Sequence, residues 1–267
     1  MQHFFLPYKS SAISYYTWGS GDKKLICFHG YGENALSFSC MAAHLTDYNI
    51  IAIDLPYHGK TNWKETNGFL PETLLEIVRQ ICGNSSERIS LMGYSMGGRV
   101  CMQLVQLAPE MIDRLVLLAP DGFHRNPWYS LATQTIIGNR IFLFSMKHPK
   151  PLFSLMKMMS TTGLLQPAFD KIAHHYLDKE EERMLLFRRW TLLRQFKANL
   201  PLLRRHIEAY KIKVRMLFGK YDKIILSNNA LPLAQGLEGL IQIKVIDAGH
   251  QLLKEKHLGE VASLMYE

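Results

Sequence analysis

Residues Gly93-Tyr94-Ser95-Met96-Gly97 place a serine between two glycines, directly after an apolar run and at the start of a helical pattern. A serine on a sharp strand-to-helix turn sits in strained backbone. Its neighbours two positions away must be small so that other chain segments can approach. The amides opening the next helix then point to where negative charge would develop. Alone, the five residues also fit an ordinary turn, so the chemistry depends on partners elsewhere in the chain.

A hydroxyl is a poor nucleophile at neutral pH and needs a base. Of eleven histidines, His250 stands out because Asp247-Ala248-Gly249-His250 closes the last strand-like run. In a parallel sheet the carboxyl ends of the strands share one rim, where sites gather. His174, His175, His206 and His257 lie in helical patterns and read as solvated or partly buried. His58, in Pro56-Tyr57-His58-Gly59, reads as structural. The imidazole in turn needs a carboxylate to hold its tautomer and stabilise its charge. Asp222, ending Gly219-Lys220-Tyr221-Asp222, is the first choice, and Asp121, after the preceding strand run, is its rival. Asp247 is too close to His250 along the chain. Two backbone amides complete an anion site: that of Met96, and that of Tyr31 in His29-Gly30-Tyr31-Gly32.

These residues need a scaffold that puts strand ends side by side. Strand-like runs occur at 3–8, 12–19, 24–30, 49–56, 88–95, 114–120, 211–222 and 241–250. Helical patterns separate most of them, including 71–82, with Pro71 at its first position, and 97–110, with Val100, Leu104 and Leu107 on one face. Alternating strands and helices imply crossover connections and an α/β fold with a mostly parallel sheet of about eight strands. From 123 to 205 strand signals stop and helical patterns take over, among them 127–146 and 166–177. The expected organisation is a core of 1–122 and 206–267 with a helical insertion, 123–205, after the sixth strand.

Charge sets this insertion apart. The chain carries 31 Lys/Arg against 23 Asp/Glu, a net +8. Residues 121–211 hold 15 Lys/Arg and 7 Asp/Glu, and the rest is balanced at 16 and 16. A basic face fits anionic acyl substrates, a membrane surface in peripheral contact, or plain solvation. Phe142, Phe144, Met146, Phe153, Met156, Met158 and Met159 could line an adaptable apolar pocket or pack helices together.

No apolar run approaches the roughly 18 residues that cross a bilayer, and the N-terminus lacks a secretory pattern, so a cytoplasmic protein is expected. Cys27, Cys40, Cys82 and Cys101 are widely spaced and read as reduced thiols. No spacing suggests a metal site, an organic cofactor or nucleic-acid binding.

With these residues in view, the chain resembles the α/β-hydrolase superfamily over nearly its whole length. CFHGYG is similar to its oxyanion loop, IDLPYHGKT to its D-x-P-x-H-G segment, GYSMGG to its nucleophile elbow, GKYD to its acid turn and DAGH to its histidine loop. Tyr57 departs from the pattern, since glycine is common there. The resemblance implies Ser95 as nucleophile, His250 as base, Asp222 as orienting acid and Tyr31 and Met96 as oxyanion donors. It also implies a helical cap at 123–205. The superfamily does not name a substrate; a complete triad with an apolar cap points to hydrolysis of a small or medium acyl ester or thioester. A carbon–carbon bond hydrolase with the same triad, a cofactor-free lyase or acyltransferase, and a ligand receptor without turnover are the alternatives.

Overall fold

The computed structural model describes residues 1–66, 68–83, 87–124, 127–161 and 177–267, with 155–157 and 159–161 described by backbone alone. Its eight strands are β1 (Gln2–Tyr8), β2 (Ser11–Trp18), β3 (Lys23–Phe28), β4 (Tyr48–Ile53), β5 (Ile89–Tyr94), β6 (Ile112–Leu118), β7 (Lys213–Gly219) and β8 (Ile241–Ile246). They form one sheet in the order β1-β2-β4-β3-β5-β6-β7-β8. β1 and β2 form an antiparallel pair, and β2 joins β4 antiparallel; every later pairing is parallel.

The interior strands are continuous apolar runs because they are covered on both faces. β5 is buried at every position, and β7 at all but its first. The outer strand β8 mixes half-buried and exposed residues after the buried Ile241 instead. Helix α1 (Pro71–Cys82) buries Leu74, Ile77 and Val78 at i, i+3 and i+4. Helix α2 (Met96–Leu107) is buried nearly all round, and Leu107 is only half-buried. It packs against both α1 and a later helix, so it has no solvent face of the usual width.

After β6 come α3 (Pro127–Gln134), α4 (Ile136–Lys147), α5 (Lys150–Thr161) and α6 (Glu180–Leu192). The helical pattern 127–146 is two helices because Thr135 is extended and its hydroxyl caps the Gly138 amide. The helical pattern over 166–177 lies almost wholly outside the described residues. The chain divides into two compact units, Met1–His124 with Gln195–Glu267, and Arg125–Arg194.

Residues 195–205 pack with the first unit. The Phe196 ring stacks on Phe69 at 5.4 Å, and the Asn199 amide donates to Gln106 Oε1 at 2.9 Å. Helix α7 (Leu200–Tyr210) then buries Leu203 and Ile207. The short helices α8 (Leu231–Ala234) and α9 (Leu258–Ser263) accompany β7 and β8.

In the second unit, α4 packs against α3 and α6. The Phe142 ring meets Phe187 and Trp190 at 5.4 and 5.6 Å. The buried Arg183 closes the end of α4 by donating from Nε to the Met146 carbonyl at 2.7 Å.

Candidate active site

Ser95 directly follows β5, with φ 51° and ψ −114°, and helix α2 begins at the next residue. A left-handed φ is costly for a non-glycine residue and persists only where surroundings hold it. Here they do. The Ser95 amide donates to the Leu118 carbonyl at the end of β6, and its own carbonyl accepts from the amides of Gly98 and Asp121, each at 2.9 Å. The flanking glycines are required by close approach. A Cβ on Gly97 would overlap the Phe28 carbonyl at the end of β3, and one on Gly93 would overlap the Gly97 backbone.

The candidate base and acid meet this serine. His250 Nε2 lies 3.0 Å from Ser95 Oγ, and His250 Nδ1 lies 2.7 Å from Asp222 Oδ2. A carboxylate at Nδ1 places the ring proton there and leaves Nε2 free to accept from the serine hydroxyl. The other Asp222 oxygen accepts from the amides of Ile224 and Ile225 at 2.8 and 3.0 Å. Burial pushes the Asp222 carboxyl up, but the bonds from His250, Ile225 and Ile224 outweigh it and hold the group below its ordinary value.

The acid turn and histidine loop are joined by backbone: Lys220 donates to Ile246 at 2.8 Å and Tyr221 to Ala248 at 2.9 Å. Gly219 is needed there, since a Cβ would overlap the Gly249 carbonyl. The rival Asp121 instead pairs with Arg99 at 3.6 Å, and Asp247 pairs with Lys220 at 3.6 Å on the surface.

The loop after β3 lies against the same serine. A Cβ on Gly30 would come 3.5 Å from Ser95 Cβ, which places Tyr31 one residue farther along that loop. Met96 is the buried first residue of α2. His29 braces the loop: its Nε2 accepts from the Leu55 amide at 3.1 Å, so Nδ1 carries the proton that it donates to the Gly30 carbonyl at 2.8 Å. His58 is buried beside it, 4.9 Å between rings, with Nδ1 bonded to the Pro56 carbonyl. Tyr57 has φ 62°, which gives the reason glycine is common there: the position is left-handed, and its bulk matters less than its backbone.

His206 bonds the Val105 carbonyl and His257 is buried in a short helical turn, both away from the serine's partners. His174 and His175 lie outside the described residues. The four cysteines are free, and burial pushes the Cys27 and Cys101 thiols well up.

Three residues near the site escaped sequence reasoning. Tyr94 donates its hydroxyl to the His250 carbonyl at 3.2 Å, tying the elbow to the histidine loop. Burial pushes this phenol upward, with Glu33 and Asp222 adding to the effect. Asp54, 1% exposed, accepts from Ser14 Oγ, the Ala35 amide and the Lys60 amide at 2.7–2.9 Å. Its position in D-x-P-x-H-G was the available signal. Glu33 follows the HGYG turn. Burial raises its carboxyl, against the pull of Ser37, His250 and Gly30.

A family model described as alpha/beta hydrolase fold matches residues 23–146. An esterase of Mycobacterium tuberculosis is 31% identical over 124 residues, 44% of this chain and 40% of that protein. A pimeloyl-[acyl-carrier protein] methyl ester esterase of Salmonella heidelberg is 32% identical over 129 residues, 47% of this chain and 48% of that protein. The matched part thus spans less than half the length of these curated relatives. Among solved structures, a thermophilic esterase from Thermogutta terrifontis superposes with TM-score 0.68, covering 100% of this chain and 97% of that one at 17% identity. Strand order, rim positions and family match agree: this chain has the α/β-hydrolase fold, with the family's sequence pattern on residues 23–146.

Proposed function

We propose that this chain is a serine hydrolase acting on acyl esters, with Ser95, His250 and Asp222 as its catalytic residues. The observation that carries the reading is the hydrogen-bonded series Ser95–His250–Asp222, at 3.0 and 2.7 Å. Relatives named as esterases support the ester over other acyl bonds. Ser95 Oγ attacks the acyl carbon as His250 Nε2 takes its proton, and Asp222 stabilises the resulting imidazolium. The amides of Tyr31 and Met96 receive the oxyanion. Collapse expels the alcohol, protonated by His250, and leaves the acyl group on Ser95. Water, deprotonated by His250, then releases the acid and restores the serine.

We assign substrate selection to the helical unit Arg125–Arg194, which follows β6 where resembling enzymes carry a cap. Its positive balance and apolar side chains suit a small or medium acyl group bearing, or carried by, an anionic group.

A fluorophosphonate probe, with hydrolysis of short p-nitrophenyl esters beside it, tests the reading. Wild type is expected to label and turn over. Ser95→Ala should lose labelling, and its kcat should fall by at least about 1,000-fold. Labelling that persists in the variant would move the nucleophile elsewhere. An unlabelled wild type would favour a binding protein over an enzyme.

A further inference from the structure

We propose that helices α3 and α4 form a docking face for an anionic lipid bilayer, lying in its interface. The observation is an inverted helix. Ile137, Ile141 and Phe144 recur at i, i+4 and i+7 on α4 and are 73%, 60% and 59% exposed. Ile136 adjoins them at 76%, and Trp128 and Leu131 extend the patch along α3 at 75% and 52%. Isolated apolar residues on a surface need no explanation, whereas six exposed on two consecutive helices, three of them in one stripe, mark a contact surface.

The inward face of α4 is already occupied. Asn139 Nδ2 donates to the Ala132 carbonyl at 3.1 Å and Thr191 Oγ1 at 3.0 Å, and Phe142 meets Phe187 and Trp190. The outward stripe is therefore additional to what folds the unit.

Charge selects the occupant. Residues 122–169 contain no Asp or Glu. Exposed Arg140 and Lys147 lie on α4 itself, and exposed Lys150 opens α5 (Lys150–Thr161). Apolar side chains set among cations, in a stretch of sequence free of acids and with carboxylates of the same unit opening α6 at Glu180, Glu181 and Glu182, match anionic headgroups above acyl chains. At twelve residues, α4 is about 18 Å long, short of the ~30 Å hydrocarbon core, so it lies on the membrane rather than crossing it. Lipid entering along this face would also bring apolar acyl substrate to the protein, but docking does not depend on Ser95.

Co-sedimentation with vesicles tests this, using equimolar phosphatidylglycerol and phosphatidylcholine against phosphatidylcholine alone. Wild type and Ser95→Ala should both pellet with the anionic vesicles, and less so as salt rises. Arg140→Gln, Lys147→Gln and Lys150→Gln should each weaken binding about fivefold. The double variant Ile137→Ser/Ile141→Ser should weaken it at least about tenfold, and Trp128→Ala serves as an independent second variant. Failure to bind anionic vesicles, or equal binding to both compositions, overturns the proposal. So does unchanged binding by the apolar variants, which would leave a purely electrostatic surface suited to an acidic soluble protein.

Discussion

The carboxyl rim of the sheet and the helical unit Arg125–Arg194 solve opposite problems with similar residue types. At the rim, the interior strands are buried apolar runs, and Ser95 and Asp222 just past their ends are held by several bonds each. Ser95 is fixed by three backbone bonds, and Asp222 uses both carboxyl oxygens. In the helical unit, isoleucines and a tryptophan face outward, and the buried Arg183 serves as a clip to backbone carbonyls. Chemistry needs groups placed to within a fraction of an ångström, whereas recognition of an extended surface needs area and charge. A chain can therefore spend its constraint on one region and leave the other adaptable.

The sharpest way to break this comparison is at the two strand-end acids. Asp222→Asn should lower kcat by about 1,000-fold or more. Asp121→Asn, which alters a carboxylate paired with Arg99 and keeps the backbone bond to Ser95, should change it less than about threefold. The opposite ranking, measured with one soluble ester, would move the orienting role. The same Asp222 gives a pH signature in stability. A carboxyl held below its ordinary value stabilises the fold above about pH 4 and loses that contribution as pH falls through its lower folded value. Thermal melts below pH 4 should then bring Asp222→Asn and wild type closer together.

Next in size is Asp54→Ala, which strands two backbone amides inside the protein and leaves the Ser14 hydroxyl with His3 as its partner. A loss of about 3 kcal/mol in urea unfolding is expected. A loss under 1 kcal/mol would show that the loops beside the serine do not need this brace.

Tyr94→Phe removes one hydroxyl bond to the His250 carbonyl. It should lower kcat/KM about fivefold, equivalent to ~1 kcal/mol, and leave KM nearly unchanged if the bond positions the base. A shift in KM alone would instead place Tyr94 against substrate.

The smallest effect belongs to the helical unit. Ile137→Ser should alter unfolding stability by no more than about 0.5 kcal/mol, whereas Leu115→Ala in β6, fully buried, should cost about 2–5 kcal/mol. Equal losses would mean that the outward stripe is part of the core after all.

Much of this was legible from local pattern. Buried parallel strands must be continuous apolar runs, so KLICF, IIAI and RLVLL announced themselves, and α1 spans the same residues, 71–82, that its pattern predicted. Strand-end residues on a parallel sheet share a rim, so Ser95, Asp222, His250 and the HGYG loop could be chosen as one set. The helical unit was less legible because periodicity identifies a helix but not which face meets water. Phe142 and Met146 turn inward, Phe144 and Met158 outward, and the sequence groups all four alike.

The sequence by itself determined the fold class and the order of its parts, because burial on both faces and sharp turns with small residues are local demands. Only the tertiary structure decided which acid reaches His250, that Tyr94 and Asp54 brace the site, and that α4 presents its isoleucines to solvent. The physical reason is range. Ser14 and Asp54 are forty positions apart, and Tyr94 and His250 are 156 apart. Contacts at such separations follow from how the sheet is ordered, and no window of neighbouring residues encodes them.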